Sequence, residues 1–244
     1  MRLDRSITLN LVQPFSRASG PGHGIAEPVL PVLMWHSISD DPEPGVRPYY
    51  RICTNSARFR EQMQWLKDNG YCGVTLSAGL AALKTQSENL QRPALQPRPV
   101  VLTFDDGFRN FHTAAWPILR EFGFSATMYL PTRFIASAAA SPSGVHRFNS
   151  RECLSWAEIK ELHPAGIEFG SHTVSHPKLT ELSWPEIESE IRESKSEIEN
   201  HLGVHCPAFA YPYAWPRANG EFVARFSKLL TAHGYATCVT TQLG

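Results

Sequence analysis

Short runs of uninterrupted apolar residues alternate along this chain with stretches whose apolar positions recur every three or four residues. The runs predict strands at PVLMWH (31–36), GVTL (73–76), PVVLTF (99–104), SATMYL (125–130), IEFGS (167–171), PAFAY (207–211) and ATCVT (236–240). The helical spacing covers 56–69, 77–84, 112–122, 155–162, 183–202 and 219–233. Two of these helices open with a capping box, Ser155-x-x-Glu158 and Ser183-x-x-Glu186. Gly70, Gly123, Gly166, Gly203 and Gly234 stand just past helix ends, where a left-handed cap is favoured. The helix from Ser183 is charged on most of its faces and belongs on the outside. Seven strands alternating with helices predict an α/β fold with a parallel sheet covered on both faces, and runs such as PVVLTF suit that burial. The pattern allows either a closed barrel or an open, doubly wound sheet.

In both architectures ligands gather at the carboxyl ends of the strands, so the polar residues found there carry information. Asp105 and Asp106 follow the third predicted strand directly, with Gly107 behind them. His172 and His176 follow the fifth, Tyr213 the sixth, and His36 closes the first. Two histidines at i and i+4 share a helical face or meet on a tight turn, so their ring nitrogens can converge on one ion. That spacing alone is weak evidence in a chain with ten histidines. A carboxylate at another strand end completes a His₂Asp triad that leaves a position for water. Asp105 and Asp106 then divide the labour, one binding the ion and the other taking a proton from a water whose pKa the ion lowers to about 7. The competing explanation, an Asx turn or helix cap, serves for one aspartate. For two it leaves like charges side by side with no counter-ion. A His₂Asp set suits zinc and also accepts cobalt, nickel or iron.

Composition narrows the remaining possibilities. At 244 residues with 42% hydrophobic content, the chain buries a large core, and one domain over 28–244 is the default. Residues 1–27 are rich in Gly, Pro and Ser and predict a poorly ordered arm. The 23 basic and 23 acidic residues cancel and form no basic block, which excludes a nucleic-acid partner and favours a neutral or locally polar substrate. The five cysteines are odd in number and far apart, without a C-x-x-C pair. They predict buried thiols, rather than a disulfide framework or a cysteine zinc site. No apolar window reaches the length of a signal peptide or a membrane span, so a cytoplasmic protein is expected.

TFDDG at 103–107, SHTVSHP at 171–177 and FAYPYAWP at 209–216 resemble the first three motifs of the polysaccharide deacetylase family, carbohydrate esterase family 4, with its NodB-homology domain. VLMWHSIS followed by RFREQMQWLKDNGY is similar to the subgroup acting on exopolysaccharides such as poly-N-acetylglucosamine. The resemblance runs from about Pro31 to Leu243. It implies a distorted (β/α)7 barrel and a metal-dependent hydrolase that removes acetyl groups from N-acetylated oligo- or polysaccharides. It also implies that Asp105 is the catalytic base and that Asp106, His172 and His176 are the metal ligands. Tyr213 would offer its backbone N–H to the oxyanion, and His36 would be the general acid. Ala210 stands where many members carry an arginine, and Ala214 where a glycine is usual. A last motif, a leucine and histidine pair, has no counterpart before the chain stops at TTQLG. Either His36 replaces that histidine or the domain is cut short. The resemblance leaves two further readings open, a related C–N hydrolase of a small amide and an inactive glycan-binding barrel.

Other residues fall into place by position. Trp156 and Trp184, at helix starts, are expected to staple or fill the core, whereas Trp215, in the loop after the sixth strand, is the candidate sugar contact. His112, His163, His201, His205 and His233 are expected to be surface or packing groups. Arg109 would pair with Asp105 or face solvent.

Overall fold

The computed structural model describes residues 29–41, 43, 45–47, 51–88, 97–135 and 146–241. The expected arm at 1–27 lies outside the described residues, as does ASAAASPSG at 136–144, a stretch whose composition predicts a surface loop. The described residues form two compact units, one holding the chain up to Phe104 with Thr113–Thr127, the other Asp105–His112 and the chain from Met128 onward.

In the first unit, β1 (Val32–Trp35), β4 (Tyr71–Val74) and β5 (Arg98–Phe104) pair in parallel in the order β4-β5-β1. Short β2 (Ser37–Ile38) and β3 (Cys53–Thr54) form a separate parallel pair. Helix α1 (Ser56–Asp68) is capped by the Asn55 side chain, which accepts from Ala57 and Arg58 N–H, and buries Phe59, Met63 and Leu66. Helices α2 (Leu76–Glu88) and α3 (Trp116–Phe122) complete the unit. Trp35, Phe59 and Phe104 pack ring on ring at its core, with centroids 5.4 to 5.8 Å apart. Gly73 belongs to this packing, because a Cβ there would come within 2.5 Å of Leu102 and 2.8 Å of Phe124.

In the second unit, β6 (Thr127–Leu130, of which Met128 onward belongs here), β9 (Glu168–Ser171), β10 (Ala208–Ala210) and β11 (Thr237–Val239) are hydrogen-bonded in that order. A small antiparallel pair, β7 (Arg147–Phe148) and β8 (Arg151–Glu152), accompanies them. Helices α4 (Trp156–Leu162), α5 (Trp184–Leu202) and α6 (Gly220–Ala232) cover this unit. Helix α5 exposes its charged faces and buries Ile198 together with Ile187 and Ile191, the latter two in a core cluster with Phe209, Tyr211, Phe222 and Phe226. Both expected capping boxes form, and all five glycines past helix ends have positive φ.

All seven expected strands form, most a residue or two shorter than their apolar runs. The one shifted strand is the second. Leu76 belongs to α2 rather than to a strand ending there, and Tyr71 and Cys72 join the strand instead. The helix expected over 112–122 opens with a π-helical turn at Phe111–Ala115 before α3. The five cysteines are free, and burial pushes the Cys153 and Cys206 thiols up to about 12 and about 11.

Candidate active site

Five of the six residues picked out at strand ends lie in the second unit: Asp105, Asp106, His172, His176 and Tyr213. His36, half-buried after β1, belongs to the first.

Past the end of β5, Asp105 is followed by two left-handed residues, Asp106 at φ 70° and Gly107 at φ 61°. They turn the chain sharply. Glycine is needed at 107 for a second reason, since a Cβ there would lie 3.1 Å from Ile135 and 3.2 Å from Leu130. The turn is pinned from outside by Leu154 N–H donating to the Gly107 carbonyl and Arg109 N–H to the Glu152 carbonyl, both at 2.8 Å. The Arg109 side chain meets Glu158 at 2.8 Å and Glu152 at 3.5 Å. It faces solvent, one of the two expected roles, with its side chain 49% exposed, and from there braces the turn.

His172 directly follows β9, its N–H bonded to the Leu130 carbonyl, and a tight non-helical turn carries the chain to His176. Of the two ways to bring the histidines together, the fold uses the turn. Their Nε2 atoms stand 3.1 Å apart, and Asp106 Oδ1 lies 3.7 Å from that of His172 and 3.5 Å from that of His176. One donor atom from each residue falls within a 4.8 Å span. The three side chains are 3 to 9% exposed.

The donor set fits a cation on its own terms. His172 Nδ1 sits 2.9 Å from the Ala210 carbonyl, which accepts only a proton, so Nδ1 carries the hydrogen and Nε2 keeps its lone pair. Asp106 Oδ1 is buried without a hydrogen-bond partner, which is costly unless something positive approaches it. Burial raises the Asp106 carboxyl from 3.8 to about 7, against the opposing pull of Arg151. Two imidazole nitrogens, that of His172 with its lone pair inward, and one orphaned carboxylate oxygen facing one point suit zinc and its first-row neighbours.

Asp105, itself buried at 6% exposure, stands beside this triad in sequence and outside it in function as a donor. Burial first, and then the charge of Asp105, push the Tyr129 phenol well above its usual range. Tyr213 is 50% exposed, with its ring 4.6 Å from that of His176. Trp215 is half-buried and packs edge-on against Tyr211 at 4.8 Å. Phe148, which no sequence pattern singled out, flanks His176 at 5.0 Å.

Four non-glycine residues of these motifs have left-handed backbone: Asp106, Thr173 (φ 69°), His176 (φ 54°) and Tyr213 (φ 60°). Such conformations cost about 1–3 kcal/mol each and persist only where surrounding contacts over-determine them. The histidines expected to be surface or packing groups find such partners: His201 stacks on Trp156 at 4.0 Å, His112, His205 and His233 meet Glu161, Glu199 and Glu188 at 3.5, 2.9 and 3.0 Å, and His163 Nδ1 lies 3.3 Å from the Ile167 carbonyl.

The family model described as polysaccharide deacetylase matches residues 92–236, spanning both aspartates, the histidine pair and Tyr213. The chain belongs to the polysaccharide deacetylase family. It is 30% identical over 215 residues to YxkH of Bacillus subtilis, covering 88% of this chain and 65% of that protein. It is 24% identical over 241 residues to the poly-beta-1,6-N-acetyl-D-glucosamine N-deacetylase of Escherichia coli K12, covering 87% of this chain and 34% of the relative. The chain thus spans between a third and two thirds of these curated relatives. Among solved structures, the deacetylase PplD of Streptococcus pyogenes, in complex with acetate, aligns with a TM-score of 0.68 at 28% identity, covering 89% of this chain and 86% of that one. The fold class is that of this family, a distorted (β/α)7 barrel, as the motifs implied.

Proposed function

We propose that this member of the polysaccharide deacetylase family is a hydrolase that removes N-acetyl groups from N-acetylhexosamine-containing glycans, with a divalent cation held by Asp106, His172 and His176. The observation that carries the proposal is a buried His₂Asp donor set with a second carboxylate, Asp105, adjacent in the chain and outside the set. Bound there, the cation would lower the pKa of a water and polarise the acetyl carbonyl. Asp105 takes the proton of the attacking water, a role that needs a carboxylate not committed to the cation. Asp106 supplies the negative charge of the donor set. The Ala210 carbonyl keeps His172 in the tautomer whose Nε2 faces inward. The backbone N–H of Tyr213 is assigned to the oxyanion, and its half-exposed ring to one wall of the acetamide site. Departure of the amine requires a proton, and that role is assigned to His36. Trp215 is half-buried and packs edge-on against Tyr211 and Phe226, so a sugar contact would use its exposed part.

The names of the relatives support a polymeric substrate containing N-acetylglucosamine. The test is acetate release from a short N-acetylglucosamine oligomer by protein stripped of metal and reloaded with zinc or cobalt. Metal-dependent release is expected. Tight metal binding with no acetate from any N-acetylated glycan or small amide would instead favour an inactive binding barrel.

A further inference from the structure

Helix α5 contributes a residue to this region that the account above leaves unused. Glu190 directs its carboxylate at the turn between the two histidines. Oε2 accepts from the backbone N–H groups of Val174 and Ser175, both at 2.8 Å, and Oε1 accepts from the Ser175 hydroxyl at 2.6 Å. The rest of the turn is held in the same manner. Thr132 and Arg133 N–H donate to the carbonyls of Thr173 and Val174, at 3.2 and 3.0 Å. Thr173 Oγ1 accepts from His176 N–H at 3.0 Å, and Ser171 Oγ accepts from Thr173 N–H at 3.2 Å. Ser194, one turn along α5 from Glu190, ties the strand end to the helix through Ser171 Oγ at 2.7 Å and the Glu190 carbonyl at 2.8 Å.

The turn needs such a hold because Thr173 and His176 both have left-handed backbone, and Thr173, being β-branched, resists that conformation more than most residues. Two adjacent amide hydrogens point the same way from the tip of the turn, and a single carboxylate oxygen collects both. Hydrogen bonds to an ionised acceptor are about twice as strong as neutral ones. Among the described residues, Glu190 is the side chain that supplies three such bonds to this turn, where Thr173 and Ser171 supply one each.

We infer that Glu190 is a positioning residue for the cation site: by clamping Val174 and Ser175 it fixes the turn that delivers His176 Nε2 to within reach of His172 and Asp106. This rests on the reading of the triad as a cation site. Glu190 itself touches neither the triad nor the acetamide.

The experiment measures zinc affinity by competition with a chromophoric chelator for the wild type, Glu190→Ala, Glu190→Gln and Glu186→Ala. Removing a supporting hydrogen bond around a metal ligand lowers affinity about 10–100-fold, and that loss is expected for Glu190→Ala. Glutamine keeps one oxygen for the two amide hydrogens, and its amide can donate to the Ser175 hydroxyl, so Glu190→Gln should recover affinity to within about threefold of wild type. Glu186→Ala removes the capping box of the same helix. It lowers thermal stability without touching the turn, and its zinc affinity should stay at the wild-type value. Imidazole NMR of the chelated proteins adds a metal-free readout, with the His176 ring signals expected to move in Glu190→Ala and to stay in Glu190→Gln. Unchanged zinc affinity and unchanged His176 signals in Glu190→Ala would overturn the inference, as would an equal loss of affinity in Glu186→Ala. Failure of the wild type to bind zinc, cobalt or nickel would strike at the cation site itself, and the NMR comparison would still decide whether Glu190 sets the His176 ring.

Discussion

Replacing Asp106 by asparagine should stabilise the metal-free protein at alkaline pH while removing its hold on a cation. Asp106 is 4% exposed, and burial raises its carboxyl from 3.8 to about 7. The unfolded chain releases this proton near pH 3.8, whereas the folded chain keeps it until about pH 7. Between those values the folded state binds more protons, so its stability falls as pH rises, and the loss is complete once pH has passed the folded value. The full span is about three pH units, or about 4 kcal/mol at 1.36 kcal/mol per unit. About 2.5 kcal/mol of that is lost between pH 5 and pH 8, which for a chain of this size is about 5–10 °C in Tm. Asparagine has no proton to lose. Thermal unfolding of the chelated wild type and Asp106→Asn across pH 5 to 8 isolates the effect, because groups common to both proteins drop out of the difference. The variant should gain on the wild type by about that amount as pH rises, and zinc should close the gap by raising only the wild type. Parallel curves with and without zinc would refute the reasoning, since they would mean that Asp106 is neither desolvated in the metal-free fold nor a ligand.

Two further outcomes follow from other parts of the second unit. Gly170→Ala places a Cβ 2.6 Å from the Tyr129 ring and 2.9 Å from the Ala208 carbonyl. Because one of those neighbours is backbone, unfolding in denaturant should show a loss of about 1–3 kcal/mol, and a neutral result would mean that β9 and β10 can part more easily than this packing implies. Tyr213→Gly keeps the backbone N–H and relieves the left-handed strain at φ 60° while removing the exposed ring. If the N–H is the oxyanion donor, kcat should stay within about tenfold and KM should rise; a fall of about 10²–10³ in kcat, the cost of losing a donor, would move the role to the side chain.

Much of this arrangement was legible from residue order alone. An apolar run such as PVVLTF can be little other than a buried strand, and the rule that ligands gather at carboxyl ends then singled out Asp105, Asp106, His172, His176 and Tyr213. The capping boxes and the glycines past helix ends marked boundaries because each has a local cause. What stayed hidden depends on tertiary context. Two-residue strands such as β2 and β7 are too short to have a period. The π-helical turn at Phe111–Ala115 has the composition of an ordinary helix. Aspartate and histidine only tolerate positive φ better than most residues and do not announce it at Asp106 or His176, and nothing in the type of Thr173 or Tyr213 points to it; at Thr173 the distant Thr132 N–H holds the carbonyl. Glu190 was concealed among the many acids of α5, since a carboxylate aimed at a turn and one aimed at water look the same in sequence. Arg109 was ambiguous for the same reason, and its partners Glu152 and Glu158 are more than forty residues away.

The division of labour between the two adjacent aspartates is the centre of this account, and one measurement reaches it directly: acetate release and zinc affinity determined side by side for the wild type and Asp105→Asn. Zinc affinity within about threefold of wild type, with acetate release lowered by about 10²–10⁴, the usual worth of a general base, is the predicted result. Loss of zinc binding in Asp105→Asn, or acetate release that survives it, would contradict the assignment of Asp105 as base and Asp106 as ligand.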